Sequence, residues 1–117
     1  MSGFILYHNP RWGKSRGAVS LLNEKKIEFT VVEYLKEPLS KEDILSLAEK
    51  LKKNPSEFVR VNEKDFKDNQ LKNIMHDNDK MAQAISKYPK IMERPILVKG
   101  NQAVIGRPTD NILQLIT

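Results

Sequence analysis

The residues best suited to chemistry lie in one run, Tyr7-His8-Asn9-Pro10-Arg11-Trp12-Gly13-Lys14-Ser15-Arg16. The apolar triplet Phe4-Ile5-Leu6 precedes it, and the periodic segment Ala18-Val19-Leu21-Leu22 follows. That pattern predicts strand, loop, helix. The first amides of a helix have no intrahelical acceptor, and the helix dipole adds partial positive charge there. Such a turn attracts anions. Gly13 is expected to permit a tight backbone, while Lys14 and Arg16 bring full charges. His8, at the strand end, reads equally as a hydrogen-bonding brace for the loop and as a tuner of its charge. Ser15 reads as a helix cap or as a bond within the loop. Trp12 reads as a buried plug or as an exposed contact residue, a type favoured at interface hot spots.

Composition narrows the chemistry further. The chain has no cysteine, which excludes disulfides, thiolate metal sites and thiol catalysis. His8 and His76 are its only histidines and lie far apart, so no zinc site is expected and no metal is assigned. His76 sits in a polar segment and receives no role. The net charge of +5 comes from 20 basic against 15 acidic residues. The lysines alternate with acids, as in Lys64-Asp65-Phe66-Lys67-Asp68, and form no basic stripe, so no direct nucleic-acid contact is expected. No apolar run is long enough to span a bilayer. Pro10 and Arg11 interrupt the only apolar start, so a signal peptide is not expected. A cytoplasmic protein with no membrane contact is the expectation.

These residues must be held by elements the rest of the chain supplies. No repeat or linker divides it, so residues 1–117 are expected to form one domain. Residues 4–8 predict a first strand and Lys14 to Lys26 a helix, with Ala18, Leu21 and Leu22 on one face. Phe29, Val31, Val32 and Tyr34 predict a second strand over 28–34, parallel to the first after a right-handed crossover. Ser40 and Asp43 form a capping-box pattern ahead of the stripe Ile44, Leu45, Leu47, Ala48 and Leu51. Pro55 opens a short helix. Residues 60–75 are polar with anchors Phe66, Leu71 and Ile74. A further helix starts at Asp77 or Asp79 and faces Met81, Ala84 and Ile85 inward. Ile96 to Val98 and Ala103 to Ile105 predict a hairpin turning at Gly100-Asn101. Thr109 is expected to cap a final helix from Asp110 to Ile116. Arg94 and Arg107 each precede a proline, beside opposite ends of this hairpin, a placement that would bring them near each other. The order is βαβ, helical insertion, β-hairpin, C-terminal helix. It suits an α/β thioredoxin-like fold with a mixed sheet flanked by helices.

Several of these segments, taken together, are specific: Tyr7-His8-Asn9-Pro10 with Lys14-Ser15-Arg16, Glu33-Tyr34-Leu35 followed by Pro38, Phe58-Val59-Arg60, Met92-Glu93-Arg94-Pro95-Ile96, and Ile105-Gly106-Arg107-Pro108. Through them the chain resembles, over essentially its whole length, the glutaredoxin-coupled arsenate reductase family and its relatives of unassigned activity. The resemblance implies a cysteine thiolate at the loop–helix junction that attacks arsenate. Glutathione and glutaredoxin then complete the cycle as co-reductants, with no bound cofactor. It implies oxyanion binding by Arg60, Arg94 and Arg107, with His8 and Ser15 flanking the nucleophile position. It also implies a cis bond before Pro95, a conformation costly except before proline. At the nucleophile position this chain has Trp12, and indole is no nucleophile toward arsenate. No turnover is therefore expected, although a site for arsenate or another tetrahedral oxyanion would survive. The alternative reading is a non-enzymatic member that contacts glutaredoxin or another protein, since the wider family includes transcriptional regulators that bind RNA polymerase.

Overall fold

The computed structural model describes residues 3–116. Contacts divide the chain into two compact units, one formed by Met1–Tyr34 with Arg94–Thr117 and the other by Leu35–Glu93.

The first unit is built on a four-stranded sheet. Its strands are β1 (Phe4–Tyr7), β2 (Thr30–Val32), β3 (Ile96–Lys99) and β4 (Gln102–Ile105), in the order β2-β1-β3-β4. β1 and β2 run parallel, as the crossover helix α1 (Gly13–Glu24) requires. β3 is antiparallel to both β1 and β4, so the sheet is mixed. β3 is central, and Ile96, Leu97 and Val98 are all buried. On one face Phe4, Leu6 and Leu97 pack with Ala18 and Leu22 of α1 and with Ile112. Burying such side chains is worth roughly 1.5–3 kcal/mol each.

Two local expectations change. The second strand is three residues long, not seven, because pairing with β1 extends only from Ile5↔Thr30 to Tyr7↔Val32. Its outer side has no neighbouring strand among the described residues. Phe29 instead packs against the core cluster. The last helix begins as a 3-10 turn over Thr109–Ile112 and becomes α5 only at Leu113–Ile116. Pro108, not Thr109, holds the cap position, and no side chain caps the turn. Gly100 has a φ of +59° in the turn between β3 and β4, where glycine is the least strained residue.

The second unit is helical. Its main elements are α2 (Lys41–Leu51), α3 (Lys64–Asp68) and α4 (Asn78–Lys87), joined by 3-10 turns. Ser40 accepts from the Asp43 amide at 3.1 Å and Asp43 accepts from the Ser40 amide at 3.3 Å, the reciprocal cap its sequence predicts. Asp77 caps α4, which buries Met81, Ala82, Ala84 and Ile85. Within residues 60–75, Phe66 and Leu71 are buried, whereas Ile74 is only half-buried. An isolated antiparallel bridge pairs Val59 with Met92. The Arg60 amide donates to the Ile91 carbonyl and the Glu93 amide to the Phe58 carbonyl, which fixes Arg60 and Glu93 on neighbouring strands of chain. No helix among the described residues is long and apolar enough to cross a membrane.

Candidate functional site

Three chain ends meet at one edge of the sheet in the first unit. β1 ends at Tyr7, opposite Ile96 at the start of β3, and Ile96 in turn lies opposite Ile105 at the end of β4. Pro95 directly precedes Ile96 and Gly106 directly follows Ile105, so these two residues flank the pair. The Gly106 amide donates to the Pro95 carbonyl at 2.8 Å and closes that corner. Both flanking bonds, Arg94–Pro95 and Arg107–Pro108, are cis. The sequence reading anticipated only the first. The Arg107 carbonyl accepts from Asn111 Nδ2 at 3.1 Å, which ties the loop to the final turn.

The loop after β1 is braced mainly by its own atoms. Asn9 Oδ1 accepts from the Arg11 amide at 3.1 Å, and the Asn9 carbonyl accepts from the Trp12 amide at 3.1 Å. An Asn side chain that mimics a backbone turn in this way is a common loop device. Ser15 is fully buried, and its Oγ accepts from the Asn9 amide at 3.3 Å. Of the two roles read for it, Ser15 takes the loop bond. The cap position of α1 belongs to Trp12, which makes no side-chain cap bond. Arg16 folds back and donates from NH1 to the Pro10 carbonyl at 3.1 Å. Gly13 departs from expectation. It is the first residue of α1, and an added Cβ would meet only Arg16 NH2, at 3.7 Å. Nothing in the backbone demands glycine there.

Of the two readings of Trp12, a buried plug or an exposed contact residue, the exposure excludes the plug. It is 44% exposed, yet its ring lies under the Arg94 guanidinium, with Cζ 4.0 Å from the centroid. Arg94 itself is 2% exposed and is the largest fully buried side chain among the described residues. Its Nε and NH2 atoms are shut off from solvent. Such a stack is worth roughly 0.5–2 kcal/mol, more when desolvated. A one-sequence reading had no signal for this pairing, because positions 12 and 94 meet only through the β1–β3 register.

His8 is buried, and its amide donates to the Val32 carbonyl at 3.0 Å. Its Nδ1 is buried with no hydrogen-bond partner among the described residues. Burial holds the imidazole below its ordinary pKa; Glu33 opposes that shift and Arg16 adds to it. The neutral ring is thus the favoured form, able to orient the loop without adding charge.

The third arginine of the set belongs to the second unit. Arg60 pairs through NH1 with Glu93 at 3.0 Å and through Nε with Glu63 at 3.4 Å. Sequence reasoning missed both carboxylates, although Glu63 at i+3 was visible. The structure therefore brings Arg94 and Arg107 to one corner of the sheet, with His8, Trp12 and Ser15 in the adjoining loop. Arg60 is held in a carboxylate cluster of the other unit.

Comparisons with known proteins agree with this architecture. The ArsC family model matches residues 7–115. A protein named arsenate reductase from Neisseria meningitidis is 38% identical over 92% of each chain. The uncharacterized protein YfgD of Escherichia coli is 37% identical over 95% of this chain and 94% of its own. A solved structure of an arsenate reductase from Vibrio cholerae superposes with a TM-score of 0.90 at 33% identity, covering 95% of each chain. With its thioredoxin-like sheet unit and a family match over nearly every residue, the chain belongs to the ArsC family.

Proposed function

We propose that this ArsC-family protein retains a place for a tetrahedral oxyanion but does not reduce arsenate by itself. The observation that carries the reading is the stack of Trp12 on buried Arg94. An aromatic ring, not a sulfur, faces the guanidinium at the head of α1. By resemblance, position 12 is where the family's nucleophile stands. Reduction by such a thiolate begins with a bond from sulfur to arsenic. The chain has no cysteine, so that bond has no donor.

Arg94 and Arg107 are the cations proposed to attract arsenate, phosphate or sulfate, with His8 and Ser15 shaping the loop and Pro95 its corner. Arg60 is the weakest of the three candidates, because Glu63 and Glu93 already answer its charge. Glutathione and glutaredoxin are proposed as co-reductants only where a thiol is restored. The cytoplasm, where both co-reductants are kept reduced, is the proposed location.

The wild-type protein should show no arsenate reduction with glutathione and glutaredoxin, and Trp12→Cys should acquire it. Turnover by the wild type would overturn the first half of the proposal. Calorimetric titration with arsenate, phosphate and sulfate tests the second half. Binding should weaken in Arg107→Ala, and no binding at millimolar anion would remove the oxyanion site.

The exposure of Trp12 favours a second reading, docking of a partner protein such as glutaredoxin. A binding measurement in which Trp12→Ala changes nothing would end it.

A further inference from the structure

We infer that a cavity of the helical unit binds the anion of a small carboxylic acid with an aliphatic tail. The tail lies on Val61, Phe66 and Met75, and the carboxylate meets Lys67 and Lys72. The cavity measures about 720 Å³, and these five residues line it together with Gln70 and Asn73. Small-molecule sites occupy roughly 300–1,000 Å³ and combine an apolar wall with a few polar groups. All the lining residues belong to the one unit. Val61 is 45% exposed, one of three large hydrophobic residues that stand exposed among the described residues. Phe66 is buried and Met75 half-buried. An aliphatic tail laid over Val61 removes apolar area from water, and a methionine adapts its shape to what it meets.

Charge selects the head group. The local sequence alternates in sign, as in Lys64-Asp65-Phe66-Lys67-Asp68, yet no acidic residue lines the cavity. The fold sorts these charges: Lys67 and Lys72 are on the wall, and Asp65 and Asp68 are off it. Among the described residues, no carboxylate pairs with Lys67 or Lys72. The side-chain amides of Gln70 and Asn73 can donate as well. An ammonium is a compact charge with rotatable donors, whereas phosphate recognition favours the guanidinium fork. No arginine lines this cavity, so a carboxylate is the better match. The wall is also fixed in advance. Gln70 holds a φ of +53° between α3, which carries Lys67, and the 3-10 turn Leu71–Ile74, which carries Lys72. Asn69 pins this bend, since its Nδ2 donates to the Asp65 carbonyl at 2.8 Å and its Oδ1 accepts from the Tyr88 hydroxyl at 3.0 Å. A site shaped before its ligand arrives loses less entropy on binding. The inference shares no residue with the oxyanion proposal and does not rest on it.

Sodium octanoate serves as the probe, titrated into the full chain and followed through the methyl resonances of Val61 and Met75. Both signals should shift saturably at millimolar octanoate. Shortening the tail toward butanoate should weaken binding by about twofold to fourfold per methylene, as partly buried CH₂ groups require. Octan-1-ol, which keeps the tail and lacks the charge, should bind about tenfold more weakly than octanoate. Lys67→Ala combined with Lys72→Ala should weaken octanoate about tenfold and leave octan-1-ol unchanged. Val61→Asp should abolish octanoate binding, because it sets a carboxylate in the apolar wall. These three positions are exposed, and circular dichroism verifies that each variant is folded. The inference is overturned by no saturable shift at millimolar octanoate, by octan-1-ol matching octanoate, or by shifts confined to other residues. Unchanged affinity in the double lysine variant or in Val61→Asp would also overturn it. So would shifts of the same methyls on raising protein concentration alone, which would mean that a second copy of the chain covers the cavity.

Discussion

Arg94 and Arg60 look interchangeable in the sequence, each inside a short apolar stretch, but the two units treat their charges differently. In the sheet unit Arg94 is buried and lies against the face of an indole. In the helical unit Arg60 keeps 22% of its side chain exposed and meets two carboxylates. An aromatic face attracts a cation through its quadrupole and carries no formal charge of its own. Two carboxylates outweigh one guanidinium. The first arginine meets an aromatic ring and the second a pair of carboxylates. Position in a shared motif therefore does not tell which arginine can serve a ligand. The partners each unit supplies decide it.

The largest test of this contrast is truncation of Arg94. Removing a buried long side chain leaves a cavity and strips the stack from Trp12. Arg94→Ala should cost about 3 kcal/mol in urea denaturation. Tryptophan emission should shift to the red as the ring loses its cover. A cost no larger than that of Arg60→Ala would erase the distinction between the two arginines.

A second test addresses the corner that positions Arg94 and Arg107. A Cβ on Gly106 would lie 3.0 Å from both Ile112 Cγ2 and Pro95 Cγ. Both neighbours are held in packed surroundings, since Pro95 and Ile112 are buried. Gly106→Ala should therefore cost about 2 kcal/mol through overpacking. Gly13→Ala, whose nearest contact is the movable end of Arg16 at 3.7 Å, should stay within about 0.5 kcal/mol of wild type. Equal effects at the two glycines would mean that the corner is softer than its distances imply.

The corresponding perturbation in the helical unit should be milder. Arg60→Ala removes a half-exposed pair that solvent partly screens, so a loss of about 1 kcal/mol is expected. A double-mutant cycle with Glu93→Ala should return a coupling of about 0.5–1 kcal/mol that shrinks as salt rises. A coupling insensitive to salt would place this pair in the same class as the buried arginine.

What could be read in advance follows the same division. Local signals worked: the Ser40–Asp43 box, the apolar stripe of α4 and the Gly100 turn each depend on residues a few positions apart. The family-specific segments carried the fold. Long-range pairings did not announce themselves. Nothing in the order of residues says that position 94 lies on the ring of position 12, or that Glu93 answers Arg60. The strand around Thr30–Val32 is shorter than its β-rich residues suggest, because Phe29 is partly buried and Tyr34 fully buried by packing rather than by pairing. Gly13 was credited with a conformational role that the first turn of α1 does not need.

The smallest expected effect concerns His8. His8 is buried in the sheet unit, and its Nδ1 has no hydrogen-bond partner among the described residues. Burial depresses the His8 pKa in the folded chain; Glu33 opposes this shift and Arg16 reinforces it. In the unfolded chain the imidazole titrates near its ordinary value of about 6.5. The unfolded state therefore binds a proton more readily than the folded state, and stability rises with pH across that interval. The contribution is complete above about 6.5 and is lost as pH falls toward the lower folded value. Replacing His8 with glutamine should flatten the acid side of the stability profile. If His8→Gln reproduces the wild-type slope, the acid sensitivity of the sheet unit comes from some other group, and the buried ring acts on the loop through its shape alone.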